Sequence, residues 1–264
     1  MVPEIEAAPM KITWLSQSGF LVEAEEAVLV FDRYQDPSDA LEDFFLSRRA
    51  SVRAPVPVFF FVSHGHADHC SPEILRYTGE PGVTYVLEEE AASALLSAAA
   101  PASRPAAGQV IRMRPGQTAA AGPLEVRTFG STDQGVSFLV KVDGRRLFHA
   151  GDLNDWYWEN ESTEAELAAD EAAFDRIVAD LAVTLKAMDP SDLSIAFLPL
   201  DPRLGRHADR GVLRFLDAIP TRYVVPMHLP AKTGLPGLLV RAMAGRAKGV
   251  ELDGAGSFAD IQFP

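Results

Sequence analysis

The chain reads as an α/β protein in which two mixed β-sheets pack face to face with helices on the outside. Three observations predict this. The elements run as strands first, then as strands and helices twice over, an order that two sheets with outer helices accommodate. Several strands, above all Val58-Phe59-Phe60-Phe61-Val62, are near-continuous apolar runs and so read as buried. Strands also end in polar chemistry after Val62, Ala150, Leu200 and Met227, which could bring their exits to one edge and form a cleft there.

Residues 1–9, with Pro3 and Pro9, read as a loose extension, and residues 10–264 as one domain. Residues 11–15 and 20–23 are strands joined by the turn Ser16-Gln17-Ser18-Gly19, and 27–31 is a third strand ending at Asp32. Residues 37–53 read as a helix, 58–62 and 83–87 as strands, and 88–100 as an alanine-rich helix stopped by Pro101. Residues 109–114, 124–129 and 136–142 read as strands of the second sheet. Asp143-Gly144 turns the last of them into 145–149. Thr163-Glu164-Ala165-Glu166 is a capping box opening a long helix. Leu167, Phe174, Val178, Leu181, Leu185 and Met188 give that helix one buried face. Its start is acidic from Glu159 to Asp175, read as a solvated outer face. Strands at 194–200 and 223–227, helices at 209–218 and 235–246, and a terminal strand or tail at 257–263 complete the chain.

With 264 residues, 47% hydrophobic and 23% charged, the composition is that of a globular protein with a sizeable core. A formal net charge of −13 argues against nucleic acid and anionic membranes as partners, since both attract basic surfaces. Cys70 is the only cysteine, so an intramolecular disulfide is excluded. The first residues lack a basic and apolar leader, and no apolar run approaches the roughly 20 residues of a membrane span. The expectation is a soluble, cytoplasmic protein acting on a small molecule, with self-association compatible with the sequence.

The chemistry concentrates in Ser63-His64-Gly65-His66-Ala67-Asp68-His69-Cys70. Four metal-capable side chains within six residues, directly after a buried strand, conflict with one another unless a cation sits among them. Neutral imidazoles and carboxylates suit Zn²⁺, with Mn²⁺, Ni²⁺ or Fe²⁺ as alternatives. His64 and His66 can pinch one ion, and Asp68 and His69 can reach a second. Ser71-Pro72-Glu73 then carries the signals of a helix start, so the ligands lie on a loop held between two elements.

His64-x-His66-x-Asp68-His69 resembles the signature of the metallo-β-lactamase-fold hydrolases. The Gly130-Ser131-Thr132-Asp133 and Ala150-Gly151-Asp152-Leu153-Asn154 stretches are similar to those of an uncharacterised prokaryotic branch on the lactonase-like side of that superfamily. The resemblance covers nearly the whole chain from Met10 and implies a four-layer αββα sandwich. It also implies that Asp152 bridges two metals and that His228 is the last ligand. The family's usual third histidine is missing from residues 128–135. The first site is therefore expected to be weak or absent and the second, with Asp68, His69, His228 and Asp152, well occupied. Asp133 could replace the missing donor through its carboxylate, and Ser131 or Thr132 through a held water. His149, three residues before Asp152 on a strand, points to the opposite face by period two and reads as a core or supporting histidine, with ligation as the alternative. Arg203 could bind an anionic substrate group or pair with Asp201.

Such a site suits hydrolysis of an ester or lactone, an amide, a thioester or a phosphodiester by metal-activated water. Asp68 is the candidate ligand and general base, and Asp152 the bridging ligand. A metal-binding or sensing protein without activity is the main alternative. A nuclease is disfavoured by the acidic balance. A diiron oxidase is disfavoured because that class usually carries Glu where His66 stands.

Overall fold

The structure, a computed structural model, describes residues 9–52, 54–189, 192–229, 243 and 245–263. The expected extension at 1–9 lies outside them except for Pro9, as does most of the expected helix at 235–246. The first sheet contains β1 (Met10–Ser16), β2 (Gly19–Glu23), β3 (Val28–Phe31), β4 (Val58–Val62), β5 (Val83–Glu88) and β6 (Val110–Met113). The second contains β7 (Thr118–Ala121), β8 (Leu124–Phe129), β9 (Ser137–Val142), β10 (Arg145–His149), β11 (Leu193–Pro199), β12 (Thr221–Met227) and β13 (Lys248–Gly249). The chain then returns to the first sheet as β14 (Phe258–Ile261), beside β1. Each sheet has seven strands among the described residues, in the orders β14-β1-β2-β3-β4-β5-β6 and β13-β12-β11-β10-β9-β8-β7.

The apolar run of β4 explains the layering. Phe59 and Phe61 face the core between the sheets, where Phe61 meets Phe138 of β9 edge-on at 5.3 Å. Val58, Phe60 and Val62 face the other way, with Leu41 and Phe45 of helix α1 (Ala40–Ala50) and Leu95 of α2 (Glu89–Ala98). Both faces are covered, so every position is apolar. On the far side, α3 (Glu164–Lys186) buries Phe174, Val178, Leu181 and Leu185, and α4 (Arg210–Ala218) buries Val212 and Phe215. The two mixed sheets with outer helices form the αββα sandwich that the element order predicts.

Three expectations are corrected. The strand after α2 belongs to the first sheet, parallel to β5, because a helical crossover returns the chain parallel to the strand it left. The second sheet begins only at β7, an alanine-rich strand too bland to read from sequence. The segment after Ser71 is a six-residue 3₁₀ helix; the side chain of Ser71 does cap it, accepting from the Glu73 amide. The acidic face of α3 is only partly solvated, since Glu171 and Asp175 pair with Arg214 of α4.

The strand directions place the site. β3, β4 and β5 are mutually parallel, as are β10, β11 and β12. Five strand exits thus deliver polar residues: Asp32 after β3, the 63–69 loop after β4, Asp152 after β10, Asp201 after β11 and His228 after β12. Away from these exits, Asp143 in the β9–β10 turn accepts hydrogen bonds from the amides of Glu25 and Glu26, at 2.7 and 3.0 Å, tying the second sheet to the first. Asp143 and Gly144 both have positive φ, as a tight hairpin turn requires.

Candidate metal centre

Two clusters form at this edge. His64, His66, Asp133 and Asp152 each offer one donor atom, all within 4.8 Å of one another, and Asp68, His69 and His228 do the same. Asp152 faces both. Its Oδ2 lies 3.4 Å from His64 Nε2, and its Oδ1 lies 3.0 Å from His69 Nε2 and 3.6 Å from His228 Nε2. His66 Nδ1 is 3.1 Å from His64 Nε2 and 3.6 Å from an Asp133 oxygen. Asp68 Oδ2 is 3.8 Å from His69 Nε2 and 3.7 Å from His228 Nε2. Donors placed about 2.1 Å from one tetrahedral ion stand about 3.4 Å apart, so these separations fit a metal in each cluster.

The outer nitrogens explain the aim of the inner ones. His69 Nδ1 is 2.8 Å from Asp32 Oδ2. Ser63 donates to that same oxygen at 2.6 Å and lies 3.0 Å from His64 Nδ1. Asp201 Oδ2 is 3.2 Å from His228 Nδ1. These three rings thus each set the outer nitrogen against a carboxylate, directly or through Ser63, and turn Nε2 toward the cluster. His69 Nε2 and Asp152 Oδ1 are buried, and neither has a hydrogen-bond partner. Two lone pairs facing each other at 3.0 Å in a dry site would repel, so a cation lies between them, either a proton on His69 Nε2 or a metal ion in its place.

Without a metal, a proton on His69 Nε2 fills that place. Burial lowers the His69 pKa, but Asp152 and Asp32 outweigh it and raise it to about 10. Burial likewise opposes ionisation of Asp152, yet His69 and its neighbours hold that carboxyl well below the usual range. Asp201 behaves the same way, with His228 and Arg203 overcoming its burial. Burial lowers the His64 pKa and so favours the neutral ring that ligation needs.

The structure brings His64, His66, Asp68, His69, Asp152 and His228 together, and adds Asp133 to the first cluster. That cluster therefore has four possible donors, with the Asp133 carboxylate in the place the missing histidine leaves. Asp133 is held there by its loop. Gly135 has φ +71°, and a Cβ there would stand 2.1 Å from the Ser63 carbonyl oxygen. The Val136 amide donates to that same oxygen at 3.0 Å. Ser131 lies outside both clusters, its hydroxyl accepting from the Asp133 amide. Thr132 instead donates to the carbonyl of Asn154 at 2.6 Å. His149 is also outside. Its Nε2 donates to the Ser18 carbonyl, its Nδ1 accepts from the Gly151 amide, and its ring stacks on Phe31 at 4.8 Å, so both nitrogens are committed. Arg203 pairs with Asp201 while remaining 64% exposed. Sequence reasoning passed over the supporting roles of Asp32 and Asp201, although each directly follows an apolar run, the signal that marked the ligands.

Residues 37–229 match the family model described as the beta-lactamase superfamily domain. A UPF0173 metal-dependent hydrolase of Pelotomaculum thermopropionicum is 26% identical over 155 residues, 54% of this chain and 62% of that protein. One from Cereibacter sphaeroides is 38% identical over 77 residues, 29% of this chain and 31% of that protein. The matches thus span less than two thirds of these relatives' own lengths. Among solved structures, the metallo hydrolase Igni18 of Ignicoccus hospitalis aligns with a TM-score of 0.64 at 19% identity, covering 97% of this chain and all of that one. Among the described residues, no helix is long and apolar enough to cross a membrane.

Proposed function

Since the chain belongs to the beta-lactamase superfamily domain family, we propose that it is a metal-dependent hydrolase of a small molecule, with a two-ion centre built from these clusters. The observation that carries the reading is the convergence of two His/Asp clusters on the buried Asp152, which turns one oxygen to each. His64, His66, Asp133 and Asp152 would hold one ion, and Asp68, His69, His228 and Asp152 the other. Zn²⁺ is the ion proposed, with the second site, where His69, His228 and Asp152 are buried, binding more tightly than the first, where both His66 and Asp133 are half exposed. When bound, such ions acidify water and polarise the electrophilic oxygen of an ester, lactone, amide or phosphodiester.

The chain's own residues do the rest. Asp152, buried and ionised, offers one oxygen to each cluster and keeps the two at a fixed separation. Asp68 reaches the second cluster from the solvent side, with a side chain 41% exposed, and can take up a proton released from attacking water. Trp156 covers the His228 ring edge-on at 5.6 Å and excludes water from that side. Arg203 presents an exposed guanidinium near Asp68 and Asp152, where an anionic group of the substrate would be drawn.

The test is a panel of lactones, esters, amides and phosphodiesters offered to Zn²⁺-loaded protein. Turnover should vanish on chelation, and Asp68→Asn should lower kcat on order 10²-fold or more with the fold intact by circular dichroism. A loaded protein inert to the whole panel would instead be a metal-binding protein.

A further inference from the structure

His228 follows β12 directly and has φ 61°, a left-handed conformation that a strand exit does not supply on its own. Its ring needs support to keep Nε2 on the cluster. The ends of β11 and β12 provide it. Pro199 pairs with Met227, and the Leu200 amide donates to the Met227 carbonyl at 2.8 Å, so the residues that follow, Asp201 and His228, come side by side.

Asp201 is 1% exposed, and Arg203 fixes its carboxylate from several directions. The Arg203 amide donates to Oδ1 at 2.8 Å, Nε reaches both oxygens at 2.9 and 2.8 Å, and Nη2 reaches Oδ2. The remaining direction of Oδ2 is toward His228 Nδ1, at 3.2 Å. A carboxylate so held can accept only a proton that the ring places on that nitrogen.

We propose that Asp201, locked by Arg203, is a positioning residue that keeps the proton of His228 on Nδ1 and so leaves Nε2 bare for an ion in the second cluster. The proposal rests on the two-ion reading, but its first consequence lies in the chain alone. Asp201 has a second role, since its side chain also caps the 3₁₀ turn at Pro202–His207 by accepting from the Arg203 amide. Asparagine caps such turns about as well as aspartate, so Asp201→Asn keeps the cap while it removes the charge and turns one acceptor oxygen into an NH₂ donor.

The experiment is ¹⁵N NMR of histidine-labelled, metal-free protein at pH 8, wild type beside Asp201→Asn, followed by Zn²⁺ titration against a competing chelator. Wild type should show His228 protonated on Nδ1 and bare on Nε2. The variant should lose that preference and bind its tighter Zn²⁺ about 10- to 100-fold more weakly, with the fold of the metal-free protein intact by circular dichroism. A wild-type His228 protonated on Nε2, or a variant with unaltered tautomer and Zn²⁺ affinity, overturns the proposal and leaves Asp201 a turn cap. A tautomer shift in the variant, in a wild type that binds no Zn²⁺, supports the positioning role and overturns the two-ion reading.

Discussion

Asp32 and His228 both hold backbone conformations that L-residues avoid, with φ of 38° and 61°. A Cβ in the left-handed region costs about 1–2 kcal/mol, and a glycine escapes it. On the proposed two-ion reading, the two positions keep their side chains because the ring and the carboxylate would serve the metal centre. Removing the His228 ring in two ways separates strain from function. Metal-free His228→Gly should exceed His228→Ala in stability by about 1 kcal/mol, read from urea denaturation; equal midpoints would show that the backbone there is unstrained. At this scale the His64-x-His66-x-Asp68-His69 motif was legible because six consecutive positions carry it. Asp32 acts on His69 from 37 residues away, and no local spacing records such a pairing. Asp133 was legible only as a candidate, since its place depends on how its loop meets the 63–69 loop.

The loop from Gly130 to Gly135 is the element on which the first cluster depends. It has no regular hydrogen-bonding ladder, and Gly135 carries its close approach to Ser63. Adding a methyl group there meets both the positive φ and a carbonyl oxygen at 2.1 Å, so the loop must lift. Gly135→Ala should cost about 2–4 kcal/mol by urea denaturation and weaken the first ion's binding, seen as a lower Zn²⁺ content by elemental analysis after gel filtration. A variant with unchanged stability and metal content would show that the loop does not place Asp133. Strands and helices were legible to within a few residues wherever apolar periodicity was strong, as in β4, β8, β10 and α3. Assignment of β6 to its sheet failed because a four-residue strand carries no mark of its neighbours. Only the crossover through α2 decides it.

At the scale of the molecule, the sheets face each other across one core, and the exits of five strands meet at one edge. His64, His66, Asp68 and His69 come from the first sheet; Asp152 and His228 come from the second. An ion in either cluster would therefore be held by both sheets at once. Removing the metal should lower Tm, since a ligand at about 100-fold its Kd contributes about 2.7 kcal/mol, and dialysis against a chelator followed by calorimetry measures the change. The layered architecture was legible from element order, whereas the sharing of ligands between layers needed the strand directions. Away from this edge the sheets are already tied, by the Asp143 carboxylate on the amides of Glu25 and Glu26. The chain has one cysteine and cannot staple itself by a disulfide. Its metal ions would do that work, closing the sandwich like a clasp opposite a hinge. Hydrogen exchange should register the difference: chelation should speed exchange around residues 63–69 and 150–154 and leave the amides of Glu25 and Glu26 as protected as before.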